Sequence, residues 1–326
     1  MAVTTIQQLA IGIDIGGTNT TFGIVDSRGE IKYRGAISTN KYDNITDYIE
    51  ALYEAISPAL DVVNGIEHIR GIGLGAPNAN YYSGTIEDAP NLPWKGIVPL
   101  AELVTEKFGL PSTITNDANA AAVGEMMYGA ARGMKDFIMI TLGTGVGSGI
   151  VANGQLILGH DGFAGELGHT IIIPNGRLHP NTGMRGPLEI YASATGVKMT
   201  TIEMLQQHEQ EESILRNYKE EELDSRVVYE AAIQGDKIAN EVYRFTGEIL
   251  GKALANFIMF SSPEAIILFG GLCKAGELIY NPTQKHMEDN ILPIFKNKVK
   301  LIFSELKESD AAILGASALV WESKKS

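Results

Sequence analysis

The sequence predicts an α/β protein built as two similar halves facing a shared cleft, and a repeated hairpin carries that prediction. Residues 9–26, LAIGIDIGGTNTTFGIVD, are two apolar runs of strand length split by Gly16-Gly17-Thr18-Asn19, the pattern of a hairpin. Residues 137–151, FIMITLGTGVGSGIV, repeat the plan around Gly143-Thr144-Gly145. With Asp14 set over Thr141, the residues Ile15, Gly16 and Thr18 fall over Leu142, Gly143 and Gly145. A slip of one residue then brings Gly23-Ile24-Val25 over Gly149-Ile150-Val151. Internal repetition of this kind points to duplicated half-domains. Turns without Cβ atoms, with hydroxyls and an acid beside them, suit a phosphate chain and its magnesium. A plain edge hairpin would account for the first copy but not for the second.

Composition sets the outer bounds. At 326 residues the chain is long enough for about two domains with a substantial core. It is 44% hydrophobic and 20% charged, the profile of a globular rather than a disordered protein. A net charge of −13 argues against a nucleic-acid surface, which needs clustered Lys and Arg. It does not argue against ATP, which arrives with magnesium and is held largely by backbone groups. One cysteine, Cys273, excludes an intrachain disulfide and any multi-cysteine metal site. No basic leader with a following apolar stretch is present, and no apolar run reaches about 18 residues. A cytoplasmic protein with no membrane partner is expected.

The elements follow in order. Residues 31–39 extend the first hairpin into a meander after the Ser27-Arg28-Gly29 turn. ITDYIEALYEAI (45–56) has helical apolar spacing, and Pro58 is expected to end or kink it. IRGIGLGAP (69–77) reads as a strand running into a turn, and the polar, aromatic, proline-containing stretch 78–97 as a loop over a ligand site. VPLAELVTEKFG (98–109) is a helix stopped by Gly109, and 111–119 a short strand before the Ala-rich helix AAAVGEMMYGAARG. A domain boundary is expected near residue 117. GHDGFAGELGHTIIIP (159–174) reads as a Gly-rich loop and then a strand, and 176–193 as a loop entering a helix with Pro187 in its first turn. The charge-dense segment 208–226 is a solvated face. A long helix over 236–261, a buried strand into the Gly270-Gly271 pair (265–271), a last strand (299–303) and a closing helix (311–323) complete the chain.

Two look-alike motifs do not qualify. GEILGKAL (247–254) has three residues between its glycines where a Walker loop has four, and Ala253 where a magnesium-binding hydroxyl belongs. The glycines of 143–147 run into a strand, whereas a dinucleotide fingerprint must open a helix. The chemistry instead lies between the hairpins. Asn116-Asp117 falls where a strand ends and a helix begins, so a carboxylate there feels the positive end of the helix dipole. The ionised form is thereby favoured and can accept a proton from a hydroxyl attacking a phosphoryl group. A helix cap is the simpler role for Asp117, and the pair alone does not decide. GELGH (165–169) adds Glu166 and His169, and Glu189 follows at a helix start. Carboxylates, an amide and an imidazole together suit a polyhydroxylated ligand, recognised through directional hydrogen bonds.

In this order, DIGGTNT, NDAN, TLGTGVG, GELGH, LEIYASATG and LFGG resemble the ROK family of sugar kinases and sugar-responsive repressors, over residue 9 to about 322. The resemblance implies the actin-like, ribonuclease-H-like fold. A smaller N-terminal α/β domain of residues 1–117 plus 312–326 would face a larger one of 118–311. It further implies Asp117 as the base for a sugar 6-hydroxyl, and Asn116 as a partner of neighbouring hydroxyls. Glu166, His169 and Glu189 would then bind near the anomeric end. Asp14, Gly16, Gly17, Thr18, Asn19, Thr144, Gly145, Gly270 and Gly271 would form the nucleotide side, with Asp14 near the magnesium of ATP. A homodimer is implied as well.

Two departures from the family stand out. Many members hold a structural zinc with three cysteines and the GELGH histidine, but here the cysteine positions are Pro180, Thr182 and Pro187. No zinc site is expected, and His169 should be free to meet the sugar. Asn78 follows Pro77 where the family usually has glycine, so Asn78 and Asn91 are further candidate sugar contacts. The expected activity is ATP-dependent phosphorylation of a hexose, glucose at the 6-hydroxyl first, in carbohydrate metabolism and glycolysis. The alternatives are a kinase for fructose, allose or an N-acetylhexosamine, or a non-catalytic ROK sugar sensor. A repressor needs a helix-turn-helix, for which the stretch before residue 9 leaves no room. An actin-like ATPase acting on proteins would leave Glu166, His169 and Glu189 without a purpose.

Overall fold

The computed structural model describes residues 8–63 and 65–322. Residue 323 of the expected closing helix, and the chain ends of the expected smaller domain, lie outside them. The first half opens with β1 (Leu9–Ile15), β2 (Asn19–Asp26) and β3 (Ile31–Ser38), an antiparallel meander. Helix α1 (Ile45–Val62) leads to β4 (Ile69–Gly75), which returns parallel to β1. Pro58 does not end α1, which runs through it as one helix. It lies on the exposed side, where water can take over the freed carbonyl, while Ile56 and Ala59 anchor both flanks in the core. Residues 78–97 are not a plain loop: β5 (Ala79–Asn80), β6 (Thr85–Glu87) and β7 (Ile97–Val98) form a small antiparallel sheet. Its strands are too short for a periodic signal. Helix α2 (Leu100–Phe108) stops at Gly109, whose φ of 67° needs glycine's freedom. Strand β8 (Ser112–Thr115) completes the sheet in the order β3-β2-β1-β4-β8.

Helix α3 (Asp117–Tyr128) crosses to the second half, where β9 (Phe137–Leu142), β10 (Val146–Ala152) and β11 (Gln155–Leu156) form the second meander. No strand follows the Gly-rich loop of 159–174. That segment holds a single-turn helix at Leu167–His169 and an isolated bridge from Ile171 to Pro187. Helices α4 (Glu189–Ala192), α5 (Ala194–Gln207), α6 (Ser225–Ile233) and α7 (Lys237–Ser261) cover the sheet. The false Walker stretch sits inside α7. Strand β12 (Ala265–Phe269), helix α8 (Glu277–Asp289) and β13 (Lys300–Phe303) complete the order β11-β10-β9-β12-β13. The chain closes with α9 (Glu308–Glu322).

The two sheets share strand order and strand directions, and the register explains the repeat. Gly23 pairs with Gly12, and Gly149 with Met139, so the overlaid positions sit at matching points of the two ladders. Ile15 pairs with Thr20 across a four-residue turn, and Leu142 with Val146 across a three-residue one. The one-residue slip therefore falls in the turn, where it leaves the core faces unchanged. Between the sheets lie α9, against β1 and β4, and α3, against β9 and β10. Glycine makes this close layering possible. A Cβ on Gly12 would meet Ser317 N at 2.8 Å, and one on Gly124 would meet the α-carbon of Gly315 at 2.9 Å. Helix α9 thus returns from the far end of the chain to pack on the first sheet.

Candidate active site

The turn of the first hairpin is closed by Gly16 N donating to Asn19 O at 3.0 Å. Gly17 lies under the backbone of Asn91, whose carbonyl oxygen a Cβ would approach to 2.5 Å. The structure therefore places Asn91 over the first hairpin. Asn78 has φ 52°, a left-handed conformation that asparagine tolerates. Its amide donates to the carbonyls of Glu87 at 3.0 Å and Asp88 at 3.5 Å, so it is engaged in the small sheet.

Asp14 sits near the end of β1, and its side chain makes no hydrogen bond among the described residues. Burial first, and the charge of Asp117 second, push its carboxyl up to about 7. Two neighbouring acids with no compensating cation among the described residues are the electrostatic setting a magnesium ion would relieve, so Asp14 fits that role. Asp117 begins α3 but does not cap it. Asn116 is the cap, its Oδ1 accepting from Asn119 N at 2.7 Å, while Asp117 accepts from Ala118 N at 2.9 Å. The helix-dipole argument predicts a carboxylate held in its ionised form, and here burial outweighs it. Asp117 meets solvent, yet protein crowds it on most sides and raises its proton affinity against the pull of the Ala118 N–H. A carboxylate shifted upward is a stronger base.

The second hairpin holds the other group of side chains. The Ser148 hydroxyl, on β10, donates to Gly165 O and accepts from Leu167 N at 3.1 Å. That fixes the GELGH segment beside the strand, with Glu166 exposed and His169 half-buried. His169 Nδ1 lies 3.4 Å from Glu166 Oε2, is buried, and makes no hydrogen bond. The Gly143–Gly145 turn is held by α5: Ala194 N donates to Gly143 O at 2.9 Å, and Thr195 Oγ1 to Thr144 O at 2.8 Å. Glu189 reaches this turn from the start of α4, and its Oε2 accepts from Val146 N at 2.8 Å. Gly145 therefore abuts Glu189. Gly270, with φ 109°, brings the end of β12 against Leu142, and a depression beside it is lined by Phe269, Lys274, Phe303 and Glu308.

Sequence reasoning missed His179. It is 5% exposed, and its Nε2 lies 2.7 Å from Glu189 Oε1. With His169 it completes a trio whose ligand atoms lie within 4.8 Å of one another, so the loop brings a carboxylate and two imidazoles together after all. Two imidazoles and a carboxylate are ligand types that zinc accepts, but the hydrogen bonding around His179 opposes ligation. A ligating histidine donates from its other nitrogen, but His179 Nδ1 accepts from Thr182 N at 3.3 Å. What holds the cysteine-free loop is a different set of bonds. Arg177 pairs with both oxygens of Glu203, at 2.8 and 2.6 Å, and lies 4.5 Å from the Tyr191 ring centre. Tyr191 Oη accepts from Arg177 N at 2.7 Å.

Comparison with known proteins agrees with this architecture. The sequence model described as ROK family matches residues 10–323. The chain is 36% identical to a glucokinase of Halalkalibacterium halodurans, over 97% of this chain and 96% of that one. It is 34% identical to a glucokinase of Thermotoga maritima, over 96% and 97% of the two chains. A ROK family glucokinase from Streptomyces griseus, solved in complex with glucose and AMPPNP, superposes with a TM-score of 0.78 at 31% identity, covering 96% of this chain and 99% of that one. With the duplicated hairpins, the actin-like sheet order and a family match over nearly its whole length, the chain belongs to the ROK family.

Proposed function

We propose that the protein is an ATP-dependent glucokinase that transfers the γ-phosphoryl group to the 6-hydroxyl of glucose. What supports the reading is Asp117, a carboxylate of raised proton affinity close enough to Asp14 to raise the latter's as well, in a fold whose two sheets each begin with a phosphate-type hairpin. Asp117 would accept the hydroxyl proton as the oxygen attacks, with Asn116 beside it for neighbouring hydroxyls. Glu166, His169 and Glu189 would hold the anomeric end through directional hydrogen bonds. The turns Gly16–Asn19 and Gly143–Gly145 would cradle the phosphates with backbone N–H groups. The depression beside Gly270, with its two phenylalanines, suits an adenine ring. Asp14 would hold the magnesium that arrives with ATP and neutralises the charge between the phosphates. Placement and charge neutralisation would carry most of the rate.

The same reading takes the halves as 1–117 with 312–326, and 118–311, the protein as a cytoplasmic homodimer, and the reaction as an entry step of glycolysis. A coupled assay over glucose, fructose, allose, mannose and N-acetylhexosamines tests it. Glucose should give the highest kcat/KM with ATP and magnesium. A higher value for another hexose would reassign the substrate, and no turnover of any hexose would refute the kinase reading.

A further inference from the structure

We propose that His179 is a positioning residue for sugar recognition: as the neutral Nε2–H tautomer it donates to Glu189 and fixes the carboxylate that meets the sugar. The tautomer follows from its surroundings. Thr182 N points its hydrogen at Nδ1 across 3.3 Å, so Nδ1 offers its lone pair, and the single proton of a neutral imidazole lies on Nε2. That nitrogen is 2.7 Å from Glu189 Oε1.

The backbone holds the ring where it is. His179 N donates to Met184 O at 2.8 Å, and Gly183 N donates to His179 O at 3.0 Å. Nearby, Gly186 N donates to Arg177 O at 2.8 Å, tying this tight loop to the Arg177 clamp. Glu189 is gripped at both ends, by His179 on Oε1 and by Val146 N on Oε2 at 2.8 Å. Each oxygen retains an acceptor direction for a hydroxyl. The carboxylate is therefore ordered before the sugar arrives, and binding does not have to supply the entropy of freezing it. This inference rests on the proposal that Glu189 contacts the sugar; the tautomer and the hydrogen bond do not.

Two variants and one spectrum test it. His179→Leu keeps the bulk and loses the donor, whereas His179→Gln keeps an N–H near the Nε2 position. For His179→Leu the glucose KM should rise about tenfold to a hundredfold, the scale of a lost hydrogen bond to a charged group. Its ATP KM should stay within about twofold of the parent, and His179→Gln should recover most of the loss. A folded His179→Leu protein with an unchanged glucose KM, or a His179→Gln protein equally impaired, would overturn the proposal. Independently of sugar chemistry, the ¹⁵N-histidine signal that disappears in His179→Gln should show the Nε2–H pattern in the parent protein at about pH 8. An Nδ1–H or doubly protonated pattern would overturn the proposal, as would one tightly bound zinc per chain that His179→Gln removes. If no hexose is phosphorylated but the Nε2–H pattern is present, the functional reading fails while the bond to Glu189 stands. The positioning role would then be overturned with the kinase.

Discussion

Gly145→Ala should damage sugar recognition more than nucleotide recognition, although the residue sits in a phosphate-type turn. A Cβ at this position would press on Glu189 Oε2 and lie 2.9 Å from its Cδ. Carbon atoms prefer about 3.5–4.0 Å, so the carboxylate must retreat by roughly 0.6–1.1 Å. It cannot slide away freely, because Oε2 accepts from Val146 N at 2.8 Å and Oε1 from His179 at 2.7 Å. A shift of that size stretches at least one bond to a charged group, worth about 1.5–3 kcal/mol, or roughly tenfold to a hundredfold in affinity. The φ of Gly145 is not positive, so alanine adds no backbone strain to confuse the result. Steady-state kinetics should show the glucose KM raised on that scale and the ATP KM changed by less than about threefold, with the melting temperature lowered by a few degrees by the weakened bond. A raised ATP KM with an unchanged glucose KM would refute the reasoning and assign the turn to the nucleotide alone.

Asp117→Asn should bind glucose with near-parental affinity by calorimetry but lose about 10²–10⁴ in kcat, the usual range for general-base loss; near-parental turnover would leave Asp117 no catalytic role. Asp14 has its proton affinity raised from 3.8 to about 7, so in the magnesium-free protein its contribution to stability is fully present below about pH 3.8 and is lost as pH rises toward 7. Asp14→Asn should therefore raise the melting temperature at pH 8 and flatten its fall between those limits, while abolishing turnover; an unchanged pH profile would show that Asp14 carries no such strain. Arg177→Met should lower stability by about 1–3 kcal/mol in urea unfolding, because the Arg177 side chain is 9% exposed while Glu203 is 44% exposed and partly screened by water. Dialysis against a strong chelator should leave the melting temperature unchanged and activity fully recoverable with magnesium, since Arg177 and His179 tie the loop; a chelator-induced loss of stability would point to a bound metal.

The sequence by itself determined the duplicated hairpins, the sheets grown from them, and the strand-to-helix junction that carries Asn116 and Asp117. These are matters of period and turn chemistry, which act between residues close in sequence; the one-residue slip between the copies is legible there too, while its place in the turn comes from the register. The tertiary structure decided what depends on chain path and enclosure. The strands of the small sheet over 79–98 are two or three residues long, too short for alternation to register. Asp117 lies at a helix start where the dipole favours a charge, but only the surrounding fold could show that desolvation outweighs it. His179 is ten residues from Glu189, at no helical or strand spacing, and meets it because the intervening loop doubles back on its own backbone hydrogen bonds. Helix α9 packs on β1 and β4 across almost the entire chain, and the glycines at 12 and 73 that admit it read as mere strand interruptions until the helix is in place.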